Sequence, residues 1–416
     1  MRILGIETSC DETAAAVVQD GTHILSNVVN SQIDIHKVYG GVVPEVAARS
    51  HIEVINAVID EAVQSAAARL DFGQSALPAK FLAASPKKLQ AKTLGLEGEN
   101  STEQLRSDPW DQIDAIAVTY APGLIGSLLV GTLAARTLAI LKNKPLYPIH
   151  HIESHIYANF LKTKPDNQPD FGQSALSRSD KTLGLEGENQ ADHLASSLPT
   201  FPILALVVSG GHTQLIMLKN HGDFEIIGST RDDAVGEVFD KVAKIIGLPY
   251  PGGPEISKAA LKGDRNKYKL PKSKLDSPYD FSFSGLKTAT LRAVQKAVGK
   301  PISFPSHQLA ELLTDPQRYD FAASFEKTAV DTLVDKTLLA YDHFKPKTVV
   351  IAGGVSANQY LRQQLKQRLP INIDYAPIDL CTDNAAMVAA AGFWHTKKDE
   401  PTDPYDLDVN PSLRLV

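Results

Sequence analysis

Apolar runs alternate with amphipathic stretches along most of this chain, and that alternation predicts its elements. Residues 3–6 and 14–18 are short continuous apolar runs joined by a polar segment, the pattern of strand, turn and strand. Over residues 45–68, Val46, Ile52, Ile55, Val58 and Ile59 recur near helical spacing and predict one long amphipathic helix. Residues 113–120 read as a strand, and 127–141 as a helix opened by a glycine turn. Residues 203–209 and 214–218 repeat the strand–turn–strand plan of the N-terminus. Helices are expected over 235–246, 321–344, about 358–368 and 384–394, with a short buried strand at 348–352. Strands alternating with helices predict an α/β architecture.

Two duplicated segments interrupt the pattern. DFGQSAL occurs at 71–77 and 170–176, and KTLGLEGEN at 92–100 and 181–189, with different spacers between the halves. Stacked structural repeats keep their period and carry apolar positions for packing. These do neither, so they read as two inserted surface loops, about 71–107 and 165–198, peripheral to any chemistry.

Composition narrows the picture. The chain has 416 residues, 43% of them hydrophobic, enough for a sizeable core and for two or three domains. The net charge is −6, so any nucleic-acid contact must be a local patch or come from a partner. Cys10 and Cys381 make no disulfide framework, which fits a reducing compartment. The N-terminal apolar run is too short for a signal peptide, and no uninterrupted apolar stretch approaches a membrane span. A soluble, cytoplasmic protein is the expectation.

Three segments carry candidate chemistry at turns. Residues 4–13 (LGIETSCDET) and 206–215 (LVVSGGHTQL) share one shape, a polar turn between strands closed by a threonine. Successive N–H groups in such turns make an anion-binding concavity, and glycines admit phosphates closely. In 349–358 (VVIAGGVSAN) a buried strand runs into a Gly-Gly turn that opens a helix, suited to a ribose or phosphate, and Asn358 can hydrogen-bond a ribose or base. It matches neither a Walker loop nor a dinucleotide-binding turn. Asp232 and Asp233 stand at the expected start of a helix, where acids also serve plain dipole capping. Residues 250–254 (YPGGP) form a rigid turn that serves equally as a connector. No chemistry follows from residue types alone for 279–287 (YDFSFSGLK).

Residues 150–155 (HHIESH) are the metal candidate. His151 and His155, four apart, share one face of a helix. They need a third ligand, and Asp383, just before the last helix, is the best placed distant carboxylate. Two histidines near a helix start can also be satisfied by ordinary hydrogen bonds, and the pair alone does not decide. A zincin protease is excluded, because its glutamate directly follows the first histidine, whereas Glu153 lies two residues on, facing away from both.

Taken in order, GIETSCDET, YGGVVPEVAARSH, APGLIGSLLVG, HHIESH, LVVSGGHTQL, GEVFDKVAKIIGLPYPGGP, FSFSGLKT, IAGGVSAN and CTDNAAM resemble the bacterial tRNA adenosine threonylcarbamoyltransferases of the TsaD type, from Met1 to about Trp394 outside the two insertions and a loop near Pro301–Asp320. The resemblance implies an actin-like (ASKHA) fold with two similar α/β domains, their mixed sheets flanked by helices around a central cleft. Residues 1–145, completed by a C-terminal helix at about 384–396, would form one domain and 146–383 the other, with 397–416 as a tail. It implies transfer of a threonylcarbamoyl group from threonylcarbamoyl-adenylate, a nucleotide bound in the cleft, to N6 of the adenosine after the anticodon, in tRNAs reading codons that start with A. It places one divalent iron or zinc ion on His151, His155 and Asp383. Substrate contacts would fall on Val207, Val208, Ser209, Gly210, Gly211, Asp240, Gly253 and Asn358. Ser257 departs from the family, where many relatives have an aspartate. The implied partners are tRNA, a TsaB-type paralogue subunit and a TsaE-type ATPase. Asp11 and Glu12 are the candidates to take the amine proton. The competing functions are an ATP-dependent small-molecule kinase of the same fold and a non-catalytic scaffold subunit.

Overall fold

The structure, a computed structural model, describes residues 1–72, 108–162 and 198–415. Apart from Asp71 and Phe72, the duplicated segments lie outside these residues. Among the described residues, ten strands form two five-stranded sheets. The first holds β1 (Arg2–Glu7), β2 (Glu12–Gln19), β3 (His23–Ser31), β4 (Ala115–Ala121) and β5 (Leu146–His150). The second holds β6 (Ile203–Val208), β7 (Thr213–Asn220), β8 (Asp223–Ser229), β9 (Thr348–Ala352) and β10 (Ile373–Tyr375). Their orders, β3-β2-β1-β4-β5 and β8-β7-β6-β9-β10, are the same plan twice. In each, the first strand is central, antiparallel to the second and parallel to the fourth. Two mixed sheets of one topology, flanked by helices, are the actin-like architecture expected.

Eleven α-helices complete the described chain: α1 (Ile33–Lys37), α2 (Pro44–Phe72), α3 (Ile125–Lys142), α4 (His151–Tyr157), α5 (Val235–Ile246), α6 (Gly252–Ala260), α7 (Ser284–Ala297), α8 (Asp315–Phe344), α9 (Gln359–Arg368), α10 (Ile378–Cys381) and α11 (Ala385–Lys398). Helix α8 starts six residues before the expected 321, because Thr314 and Gln317 form a capping box around a polar first turn.

The central strands are covered on both faces, which is why they read as unbroken apolar runs. Helices α2 and α3 cover one face of the first sheet, through Ile55, Val58, Ala62 and Ala135 against Leu4, Ile6 and Val118. Between the sheets lies a shared layer in which Ile152 and Ile156 of α4 and Met387 to Ala391 of α11 meet Ile3, Ala117, Ala205 and Val350. The outer face of the second sheet packs on α5, α6 and α8. Helix α11 is built of small residues where it crosses β1 and β4. A Cβ on Gly5 would stand 2.2 Å from the Ala385 carbonyl oxygen, and one on Gly392 would stand 2.5 Å from Ala117 Cβ. The helix therefore rests almost on the strand backbone, which fixes where its N-terminus points.

An aromatic cluster ties this layer together at the other end of α11. His221, in the β7–β8 turn, stacks on Trp394 at 3.6 Å between ring centroids, and its Nδ1 lies 3.1 Å from the Tyr157 hydroxyl. Burial pushes the His221 imidazole from its ordinary 6.5 down to about 4. Folding therefore expels a proton below pH 6.5, so this group's contribution is whole above about 6.5 and declines as the pH falls through about 4. Urea denaturation at pH 7 and pH 4.5 should show His221→Gln losing about 1–2 kcal/mol less than the native chain on acidification. Equal losses in both would contradict the buried neutral imidazole.

Candidate metal and phosphate site

Strand β5 runs straight into α4, so His151 is the first helical residue and His155 stands one turn on. His150 caps this helix by accepting from the Ile152 N–H at 3.2 Å. Asp383 arrives from the other end of the sequence, immediately before α11. Its backbone is fixed by Asn384, fully buried, whose Oδ1 accepts from Met387 N and whose Nδ2 donates to the Leu380 and Thr382 carbonyls. The residues expected to hold a metal thus meet. One ligand atom from each of His151, His155 and Asp383 lies within 4.8 Å of the others.

The geometry suits a cation. Asp383 Oδ1 is 3.6 Å from His151 Nε2 and 3.2 Å from His155 Nε2. Among the described residues, both ring nitrogens of His155 are buried without a well-formed hydrogen bond. Orphaned buried nitrogens are rare, and here one of them faces a carboxylate across a gap that a metal ion would fill. His151 is oriented from behind by Glu7, whose Oε2 sits 3.2 Å from its Nδ1 and takes the Thr119 hydroxyl at 2.6 Å. Ser9 Oγ approaches the same Nδ1 at 3.2 Å. With Nδ1 held in this way, Nε2 is left to face Asp383.

The charges follow from this packing. Burial disfavours a charged His151, but the Asp383 and Glu7 carboxylates outweigh it and raise the imidazole to about 9. Burial likewise works against the Asp383 charge, and the neighbouring His151 and His155 hold it well below the usual carboxylate range. A field that holds a proton this firmly favours any cation bound between the same groups.

Asp11 and Glu12 open β2 on the same side. Burial, then the nearby Asp11 and Asp383 charges, push the Glu12 carboxyl well above its ordinary value. Its Oε1 accepts from the Ser31 hydroxyl at 3.2 Å.

The second polar turn lies beyond β6. Val207 and Val208, expected to touch substrate, are fully buried inside the strand ladder and lead into the exposed turn that begins after Ser209. Ser209 N donates to the His212 carbonyl, and His212 N donates to Ser209 Oγ, closing a tight turn whose Gly210 and Gly211 are exposed. The glycines here fall into two kinds. A Cβ on Gly236 or Gly353 would strike the Ser209 or Val208 carbonyl at 2.5 Å, so these two are packing requirements. A Cβ on Gly210, Gly211, Gly253 or Gly354 would meet nothing within 4 Å. Their bareness leaves backbone open to a ligand.

Asp240, on α5, accepts from Gly252 N at 2.7 Å and so anchors the turn carrying Gly253. Burial, only partly offset by the Gly252 and Gly253 N–H groups, lifts its carboxyl to about 6. Asn358 is more occupied than expected. Its Oδ1 caps α9 at Leu361 N, and its Nδ2 donates to Ser257 Oγ and Glu326 Oε1, each at 2.9 Å. It therefore shapes the loop and keeps one lone pair of Oδ1 for anything else. Ser257 belongs to the same network. Asp232 and Asp233 do not lie in the first turn of α5 but precede it. Asp232 accepts from Phe283 N and Ser282 Oγ, while Asp233 pairs with Lys287 and Lys241, so both pin α7 to α5.

The sequence reading missed Glu7, Ser9 and the place of Glu153. The last does turn away from the histidines, as helical spacing requires, yet it is 3% exposed. An acid ending an otherwise apolar strand was the available signal for Glu7.

The chain matches the family model of TsaD, tRNA N6-adenosine threonylcarbamoyltransferase, over residues 23–72, 107–175 and 185–390. A protein of that description from Thermomicrobium roseum is 42% identical, with 100% of this chain and 97% of that protein covered. Another from Symbiobacterium thermophilum is 42% identical over 99% of this chain and 96% of its own length. One from Dehalococcoides mccartyi is 40% identical over the whole of both.

The two kinds of glycine are separable in solution. Gly353→Ala places a side chain at φ +87° against Val208 and should cost about 3 kcal/mol in urea denaturation. Gly210→Ala should stay within about 0.5 kcal/mol of the native chain. Similar costs for both would contradict the distinction.

Proposed function

Because this chain belongs to the family of bacterial tRNA N6-adenosine threonylcarbamoyltransferases, transferases that modify tRNA, we propose that its donor is threonylcarbamoyl-adenylate and that His151, His155 and Asp383 hold the catalytic metal. The observation that carries this reading is the convergence of those three side chains within 4.8 Å, near the turn whose Gly210 and Gly211 carry no side chain. The acceptor is N6 of the adenosine after the anticodon, in tRNAs reading codons that start with A.

An exocyclic adenine amine is a weak nucleophile, since its lone pair is delocalised into the ring. Transfer forms a bond from N6 to the carbamoyl carbon and breaks the bond from that carbon to the phosphate oxygen, so adenylate leaves. A bound divalent iron or zinc ion would supply Lewis-acid polarisation of the donor's oxygens. The chain's own residues do the rest. The N–H groups of Gly210 and Gly211 cradle the phosphate, and the bare backbone at Gly253 and Gly354 receives the nucleoside. Asp240 holds the Gly253 turn in place, and Asn358 fixes the Gly354 loop. Asp11 or Glu12 takes the proton that N6 loses.

The histidine ligands favour this reading over a sugar-type kinase, whose hydrated magnesium prefers oxygen donors. A scaffold subunit would have no use for a buried triad whose His151 is held from behind by Glu7. We further propose domains of 1–145, completed by the helix at about 384–396, and 146–383, and a cytoplasmic location. Helix α3, 18 residues at a mean hydropathy of 1.5, is long and apolar enough to span a membrane by length and composition. Arg136 interrupts it, and Leu128, Ala135 and Ala139 are buried in the protein. Its outer row of Ile125, Leu129 and Leu133, beside Ile52 of α2, is exposed. That row suits a paralogue subunit of the TsaB type, with a TsaE-type ATPase as the further partner.

A transfer assay with tRNA, threonylcarbamoyl-adenylate and the partner proteins tests the proposal. His151→Ala should lose about 100-fold or more in rate with unchanged far-UV circular dichroism. A folded variant at the native rate would remove the metal from the reaction.

A further inference from the structure

Glu153 is a carboxylate on a seven-residue helix in which every side chain is buried. A buried charge of this kind persists only where it is paired. Its partner is His395 on α11, whose Nε2 lies 3.1 Å from both Oε1 and Oε2. The other ring nitrogen of His395, Nδ1, sits 2.5 Å from Asp399 Oδ2, so the ring is gripped on both sides.

The placing of this pair matters more than its existence. Glu153 lies between His151 and His155 in sequence, on the opposite face of α4. His395 lies on the helix that Asp383 precedes, about 18 Å further along it at the usual helical rise. Helix α4 is therefore tied to α11 twice, through the triad on one face and through Glu153–His395 on the other. The other polar contacts of α4, His151 to Glu7 and Ser9 and the Tyr157 hydroxyl to His221, run to β1, the turn after it and the β7–β8 turn rather than to α11, and Ile152 and Ile156 meet the shared layer through apolar contacts that set no fixed spacing.

We infer that Glu153 and His395 form a strut that sets the distance between the two histidine ligands and Asp383, making them positioning residues for the metal. They touch neither the triad nor the cleft. This inference rests on the metal reading above, and its test separates the two.

The probe is cobalt(II) alone, added to the full chain, with affinity measured by chelator competition and geometry by the visible absorption of the bound ion. The native chain should take up one cobalt. His395→Gln and Glu153→Gln should each weaken it by about tenfold and alter the absorption bands. The double substitution should be no weaker than about either single one, because one link is broken in all three. Thr348→Val, which removes a buried hydroxyl bonded to Thr200 N at 3.0 Å, should leave affinity and spectrum unchanged. His395, at the rim of the protein, is the variant least exposed to misfolding. Native affinity and spectrum in folded Glu153→Gln and His395→Gln would overturn the strut while leaving the metal reading intact. A native chain that takes up no stoichiometric cobalt would overturn both.

Discussion

The seat of helix α11 on the first sheet governs most of this molecule. Gly5 and Gly392 let the helix lie against the backbone of β1 and the side chain of Ala117, with no room for a Cβ at either point. That contact fixes the helix N-terminus, and with it Asp383, beside a helix encoded more than two hundred residues earlier. Asn384 then locks the approach through bonds to Leu380, Thr382 and Met387. A larger residue at Gly5 would move Asp383 without touching the site.

Once the three side chains meet, their charges favour a cation between them. Two carboxylates, Asp383 and Glu7, stand on either side of His151, while His155 brings nitrogens with no hydrogen-bonding partner among the described residues. Such groups are expensive to bury unless a charge between them completes the set. The duplicated sheet plan supplies the other half of the arrangement. Two copies of one topology place two polar turns, after β1 and after β6, on the same side of a shared helical layer. One presents acids and the other bare glycine backbone, which suits an activated acyl phosphate between them.

Much of this was legible in the sequence where burial is complete. The runs at 203–208 and 348–352 and the helix at 235–246 sit where their apolar pattern put them, because strands and helices covered on both sides carry continuous signals. Edge elements were not legible. Strands β3 and β8 are half-buried and mixed in polarity, β5 contains Pro148, and β10 has three residues. The meeting of His151, His155 and Asp383 could be read because the two histidines lie one helical turn apart and the carboxylate precedes a recognisable apolar helix. Glu7, Ser9 and the Glu153–His395 pair could not, since their roles depend on partners 144, 142 and 242 residues away.

X-ray absorption on chain purified without chelator reads the metal shell itself. One bound iron or zinc per chain is expected, with two imidazole nitrogens and a carboxylate oxygen at about 2.0–2.2 Å. A metal shell made only of water oxygens, or a spectrum unchanged when His155 and Asp383 are both replaced, would contradict it.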